Sequence, residues 1–217
     1  MITIGLFSCG QKNKSQNKIT ADIETLDSIK TTENQKPQAD NRKRFIDTEY
    51  RYIDTIGKSL IIQNSLPKGG LEYTDPNGKR YVYAIFWTRI INETGNPVEL
   101  AIDVPSTSFV RQDSPNNYFK IIVPKKKINF DNLSLLNFGI GDLGAILDDK
   151  LQKASSLQRT ISPKNTSSFY VITLFNKGLE GPVRAGLSVK EGSLFYRLNQ
   201  NEMHIGQVNI KNLTLTE

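Results

Sequence analysis

Two side chains that carry much of protein chemistry are all but missing: the 217 residues include one cysteine, Cys9, and one histidine, His204. A lone cysteine closes no disulfide within the chain, and one cysteine with one histidine cannot assemble a Cys/His zinc site. A catalytic cysteine works inside a folded domain beside a histidine, whereas Cys9 sits in the first ten residues among apolar neighbours. Long apolar runs are also lacking, since nothing approaches the roughly 20 residues that a membrane-spanning helix needs. Any membrane attachment must come by another route. The net charge of +6 raises the question of phosphate binding, but the basic residues are dispersed. Only Arg42-Lys43-Arg44 and Lys125-Lys126-Lys127 form runs, and neither is interleaved with the aromatics on which single-stranded nucleic acid stacks. The sequence therefore points to no nucleic-acid partner, and the two runs read as solvated turn and tether. It points to no cofactor and no metal site.

What is present begins at the amino end. Leu6-Phe7-Ser8-Cys9 resembles the lipobox of bacterial lipoproteins, in which a Leu and two further residues, the second of them small, precede the cysteine. The resemblance covers this segment alone. It implies that the Cys9 thiol takes a diacylglycerol, that residues 1–8 are the remnant of a cleaved signal peptide, and that the new amino end is acylated as well. The charged start and the apolar stretch of about 7 to 15 residues that mark a signal peptide are curtailed, which places the beginning of the signal upstream of Met1. The apolar run stops at Cys9, and residues 10–18, Gly-Gln-Lys-Asn-Lys-Ser-Gln-Asn-Lys, follow with the composition of a spacer. Acyl chains at about 0.8 kcal/mol per buried methylene hold a protein on a bilayer when two or more are attached. The expected location is the cell envelope, with the outer membrane as the site of anchoring.

Residues 9–44 read as a flexible tether, too polar to bury a core, although Ile19, Ile23, Leu26 and Ile29 fall at near-helical spacing. A coil of that length spans roughly 30 to 35 Å, which would let a domain stand clear of the head groups.

From Phe45 the pattern changes to short apolar segments separated by turn residues, the signature of an antiparallel β protein. In 98–104 the even positions are apolar, and in 183–190 the odd ones are. Each such strand buries one face and wets the other. Turns carry Gly and Asn, which supply positive φ at low cost: Asp75-Pro76-Asn77-Gly78, Asn92 to Pro97, Glu191-Gly192 and Asn199-Gln200-Asn201. Segments near 58–63, 80–91, 98–104, 118–123, 157–161, 168–175, 183–190, 193–198 and 203–213 give about nine strands. The expected fold is mainly β, an antiparallel immunoglobulin-like β-sandwich over 45–217 with one short helix.

The segment 79–91 is apolar on both faces, with Val82, Ala84, Phe86 and Ile90 on one and Tyr81, Tyr83, Ile85 and Trp87 on the other. A central strand with both faces covered fits: one face meets the second sheet, the other meets a helix over 142–154 whose Leu143, Ile146, Leu147 and Leu151 form a stripe. Asp142 is its expected N-cap.

Several constellations invite chemistry. Gly139-Ile140-Gly141-Asp142-Leu143-Gly144 spells G-x-G-x-x-G ahead of that helix, but a dinucleotide site needs a β-α-β array and an acidic residue about 20 positions on; the flanks read as antiparallel strands, so the glycines read as a connection. His204 lies on a strand with no nucleophile elbow in the sequence. Asp148 and Asp149 are adjacent on the helix, so their side chains diverge by about 100 degrees and make no close carboxylate pair. Tyr81, Tyr83 and Trp87 alternate along one strand. If that face is open it offers flat aromatic surface to a sugar, a peptide or a partner protein, and if covered it is core. The functional expectation is a lipid-anchored envelope protein whose β-sandwich is a non-catalytic binding or structural module, with the membrane, and an envelope protein or glycan, as partners. The rival reading is an envelope hydrolase using dispersed carboxylates such as Asp131, Asp142 and Asp148 with His204.

Overall fold

The computed structural model describes residues 42–210, apart from 55, 113, 179 and 180. Cys9, the residues read as signal remnant and nearly all of the tether lie outside the described residues. Twelve strands and one helix are present among the described residues: β1 (Ile46–Ile53), β2 (Ser59–Ser65), β3 (Lys68–Thr74), β4 (Arg80–Asn92), β5 (Val98–Val104), β6 (Phe109–Arg111), β7 (Ser114–Ile122), α1 (Leu143–Lys150), β8 (Ser155–Ile161), β9 (Thr166–Phe175), β10 (Ala185–Lys190), β11 (Ser193–Leu198) and β12 (Asn201–Ile210). They form two antiparallel sheets. One has seven strands in the order β1-β2-β4-β9-β7-β6, with β3 also paired to β4; the other has five in the order β10-β11-β12-β5-β8.

All nine expected strands are found. Three more were not expected, each for a physical reason. β1 carries Asp47, Thr48, Glu49 and Arg51, which hide its inward Tyr50 and Tyr52. β3 carries two adjacent glycines after Lys68. β6 is only three residues long.

The alternation read from the sequence sorts the side chains into two cores. Ala84, Phe86 and Ile90 of β4 face the second sheet and join Leu100, Ile102, Leu187, Leu194 and Ile205 there. Tyr81, Tyr83, Ile85 and Trp87 face the other way, under a cover made of Leu133, Phe138, Ile140, Leu147 and Leu151. Each fully buried aliphatic or aromatic side chain in these layers contributes about 1.5–3 kcal/mol of transfer free energy. β4 is thus covered on both sides, as its uninterrupted apolar run requires.

Buried polar side chains stitch the layers together. Asn64 of β2 reaches across to β10, where its Oδ1 accepts from Leu187 N at 2.9 Å and its Nδ2 donates to Leu187 O at 3.1 Å. Nearby, Val189 N donates to the Tyr52 hydroxyl at 2.8 Å, and Arg184 pairs with Asp47 at 3.2 Å. The outer edge of β10 is therefore met by side chains of the facing sheet, one way to blunt an edge that would otherwise pair with another chain. The β4–β5 crossover is held by Asn92, wholly buried, whose amide donates to Asn96 O and Ile161 O while its oxygen accepts from Thr94.

Two hairpins share one design. In Asp54 to Lys58 and again in Asp75 to Lys79 the aspartate N–H donates to the lysine carbonyl, the glycine N–H donates to the aspartate carbonyl, and the carboxylate accepts two further backbone N–H groups. Gly57 and Gly78 take φ of 76° and 80°, values that a Cβ disfavours. The Glu191-Gly192 turn, with both residues at positive φ, joins β10 to β11 as a two-residue hairpin of the kind whose twist matches the strands.

The helix is shorter than expected, ending at Lys150 because β8 begins at Ser155 and the chain must turn between them. Asp142 stands at the N-cap position, but its left-handed backbone (φ 56°) leaves the carboxylate unable to cap; that carboxylate lies 3.4 Å from the Lys126 ammonium instead. The expected capping bond is absent.

Candidate binding cleft

Tyr81, Tyr83 and Trp87 are where the sequence placed them, on one face of β4, and that face is closed. Their exposures are 3, 6 and 0 %. Trp87 meets Phe130 edge-on at 5.6 Å, Tyr81 stacks on Tyr73 at 6.3 Å, and the Tyr83 hydroxyl accepts from Asn137 Nδ2 at 3.1 Å. The three form core, so the flat aromatic surface considered for a sugar or a partner is not open to solvent. Burial raises the Tyr81 hydroxyl pKa. Tyr73, partly covered beside it, is raised by burial and then by its 2.6 Å bond to the Asp148 carboxylate.

The cover over this face contains the glycine-rich motif. Asn137, Phe138 and Gly139 follow one another in left-handed conformation, at φ 52°, 56° and 71°. Such a run costs about 1–2 kcal/mol per non-glycine residue, and it is held by Phe138, which is 1 % exposed, and by the Tyr170 hydroxyl, which donates to Phe138 O. Gly139 has a packing role: a Cβ there would lie 2.6 Å from Asn132 Cβ. The motif follows a tight turn, and the next strand, β8, runs antiparallel to β5 in the other sheet. No β-α-β unit surrounds it.

His204 is exposed on β12, with Met203 and Ile205 on either side facing the intersheet core. It meets Phe195 edge-on at 5.6 Å and lines a shallow depression of about 250 Å³ with Asp103 and Gln207. Asp148 belongs to α1 on the outer face of the other sheet, where it accepts from Tyr73; Asp142 pairs with Lys126, and Asp131 follows Asn129, whose side chain caps the turn at 130–132. The structure does not bring His204 together with Asp142 or Asp148. Among the described residues no group of three His, Cys, Asp or Glu side chains could hold a metal ion, and no helix is long and apolar enough to cross a membrane.

A larger concavity among the described residues lies elsewhere. Gly69 and Gly70 make a bulge in β3 opposite Tyr83 and Ala84. Gly69 approaches so closely that a Cβ would sit 2.6 Å from Tyr83 O, while Gly70, at φ 76°, faces open space. Beside this bulge is a cleft of about 380 Å³ lined by Pro67, Val82, Ala84, Phe175 and Val183. Val183, on its wall, lies two residues before β10. Its lining is mostly apolar; of the two ionisable residues among the described lining residues, Tyr83 has its hydroxyl bonded to Asn137 and Lys68 directs its ammonium away. That ammonium donates to Leu133 O at 2.6 Å and to Leu135 O, and lies over the Phe45 and Phe138 rings. Desolvation, and then the neighbouring Arg44 charge, lowers its pKa. The cleft can receive an apolar group but offers no acid, base or nucleophile to act on it. Adjacent glycines inside an otherwise strand-like stretch were the one sequence signal for this place.

Comparison with protein families, with curated proteins and with solved structures gives no match for this chain.

Proposed function

We propose that this chain is a bacterial lipoprotein of the cell envelope, anchored through Cys9, whose two-sheet domain is a non-catalytic binding or structural module. The observation that carries the reading is the step Leu6-Phe7-Ser8-Cys9, where an apolar run ends at the only cysteine of the chain and a polar stretch follows at once. The described fold begins with a 3-10 turn at Lys43–Phe45 and β1 at Ile46, so 36 residues separate Cys9 from the first strand. The outer membrane is the proposed site of anchoring.

The domain is proposed as a variant of the immunoglobulin-like sandwich. In support, the chain crosses between the sheets at β4–β5, β5–β6, β7–β8, β8–β9 and β9–β10, as interleaved two-sheet folds do; it departs from the simplest form by its extra strands. A ligand or partner side chain of apolar character would enter the cleft at Gly69. Acyl-chain mass spectrometry on Cys9 from a producing bacterium tests the anchor. Val82→Arg, which places a charge on the cleft wall, tests the cleft: envelope proteins or glycans retained by the parent domain would be lost by the variant.

A further inference from the structure

Where the chain enters the domain, cations and aromatic rings are crowded together. Arg42 and Arg89 both lie on Phe130, with guanidinium carbons 5.5 and 5.9 Å from the ring centre. Arg44 and Lys68 both lie on Phe45, at 4.7 and 5.4 Å. The two groups are joined through the 3-10 turn that contains Lys43, in which Phe45 N donates to Arg42 O. The like charges feel one another, since Arg44 disfavours the charged form of Lys68. Lys43 and Arg44 are exposed, and the nearest acid in sequence to Phe130 is Asp131.

The same Lys68 holds the carbonyls of Leu133 and Leu135, and this fixes a loop whose Leu135 and Leu136 are 53 and 69 % exposed. Two neighbouring leucines in water beside a basic cluster are unusual on a surface that meets only solvent. Basic side chains flanking exposed aliphatic ones are the composition by which proteins lie on anionic bilayers: the charges are drawn to the head groups, and the apolar side chains enter the boundary with the acyl region.

We propose that this face, made of Arg42, Lys43, Arg44, Lys68, Leu135 and Leu136, docks on the surface of an anionic phospholipid membrane. The proposal rests on the reading that Cys9 is lipidated. Residue 42 is 33 positions from Cys9, so the basic face is the part of the described domain that follows the anchor first in sequence. Anchoring raises its effective concentration at the bilayer. The domain then rests on the membrane that holds it and does not stand away from it.

The test uses the full chain with Cys9→Ser, which removes acylation, and vesicles of phosphatidylcholine alone or mixed with phosphatidylglycerol. The expected result is co-flotation with the mixed vesicles, weak with phosphatidylcholine alone, and falling as salt rises. Each basic side chain at such a surface is worth about a fivefold factor, so Lys43→Glu with Arg44→Glu lowers binding at least about tenfold. Leu135→Asp with Leu136→Asp does the same, while the thermal unfolding of both variants matches the parent. Equal binding to the two vesicle types, or none, overturns the proposal. Binding that ignores the leucine pair overturns it too and assigns the cluster to free phosphate or to nucleic acid, which inorganic phosphate and a single-stranded oligonucleotide then distinguish. An acylated Cys9 with no vesicle binding removes the docking and keeps the anchor; an unmodified Cys9 with vesicle binding does the reverse.

Discussion

The side chain of Asn64 and the backbone of Leu187, 123 positions apart in sequence, exchange hydrogen bonds in both directions, so that an amide side chain of one sheet pairs with the edge strand of the other as a peptide group would. Thr88 Oγ1 donates to the same Asn64 oxygen, and Asn64 Nδ2 also donates to Thr48 Oγ1. Asn64 is 1 % exposed, and every polar atom of its side chain is engaged.

Replacing it by Ala leaves the Leu187 N–H and carbonyl buried beside a void. An unsatisfied buried donor or acceptor costs about 1–3 kcal/mol, so Asn64→Ala lowers the unfolding free energy by about 3 kcal/mol in urea melts. Tyr52→Phe, which removes the acceptor for Val189 N, costs about 1 kcal/mol on the same principle.

Two glycines should respond in opposite directions. At Gly206 a Cβ would lie 2.0 Å from Ala101 O, against the backbone of the paired strand β5, so Gly206→Ala destabilises by several kcal/mol or abolishes soluble expression. Gly144 lies inside α1 with nothing within 4 Å of the Cβ position. There Gly144→Ala stabilises by about 0.5–1 kcal/mol, and thermal unfolding of the two variants reads the contrast. A phosphate-binding glycine would not accept the second change without loss of ligand.

Alkaline titration should couple four of the eight tyrosines to unfolding. Burial raises the pKa of Tyr196, between the sheets, and of Tyr170 and Tyr81; Tyr73 is raised by burial and by Asp148. In the unfolded chain each ionises near pH 10. The folded state then binds more protons than the unfolded one above that pH, and stability is lost as pH rises beyond about 10. Spectrophotometric titration should show the phenolates of Tyr73, Tyr81, Tyr170 and Tyr196 appearing together with unfolding.

The single tryptophan reports on the closed face of β4. Trp87 is 0 % exposed against Phe130, so its fluorescence should lie at short wavelength, resist quenching by acrylamide, and shift to the red only on unfolding. Ready quenching in the native state would show the face to be open.

Much of this architecture was legible in the chain because alternation of apolar residues depends on neighbours two apart. β5 and β11 were read at their observed limits, and the double-sided run of β4 announced a strand covered on both faces. What escaped depends on distant partners. Asn64 is a polar residue that looks like the end of a strand until Leu187 is placed opposite. Arg42-Lys43-Arg44 looks like solvated tether until Phe45 and Phe130 are seen beneath the guanidinium groups. The cleft escaped for the same reason, since Phe175 and Val183 reach it from a different part of the chain than Pro67. The repeated Asp-x-x-Gly-Lys hairpin was readable in full and was read only in part.

The proposed anchor turns on the chemistry of Cys9. Intact-mass and peptide analysis of the protein purified from the membrane fraction of a bacterium that makes it should show a chain beginning at Cys9 and carrying a diacylglycerol thioether. Recovery from the soluble fraction with residues 1–8 in place and a free thiol would contradict it.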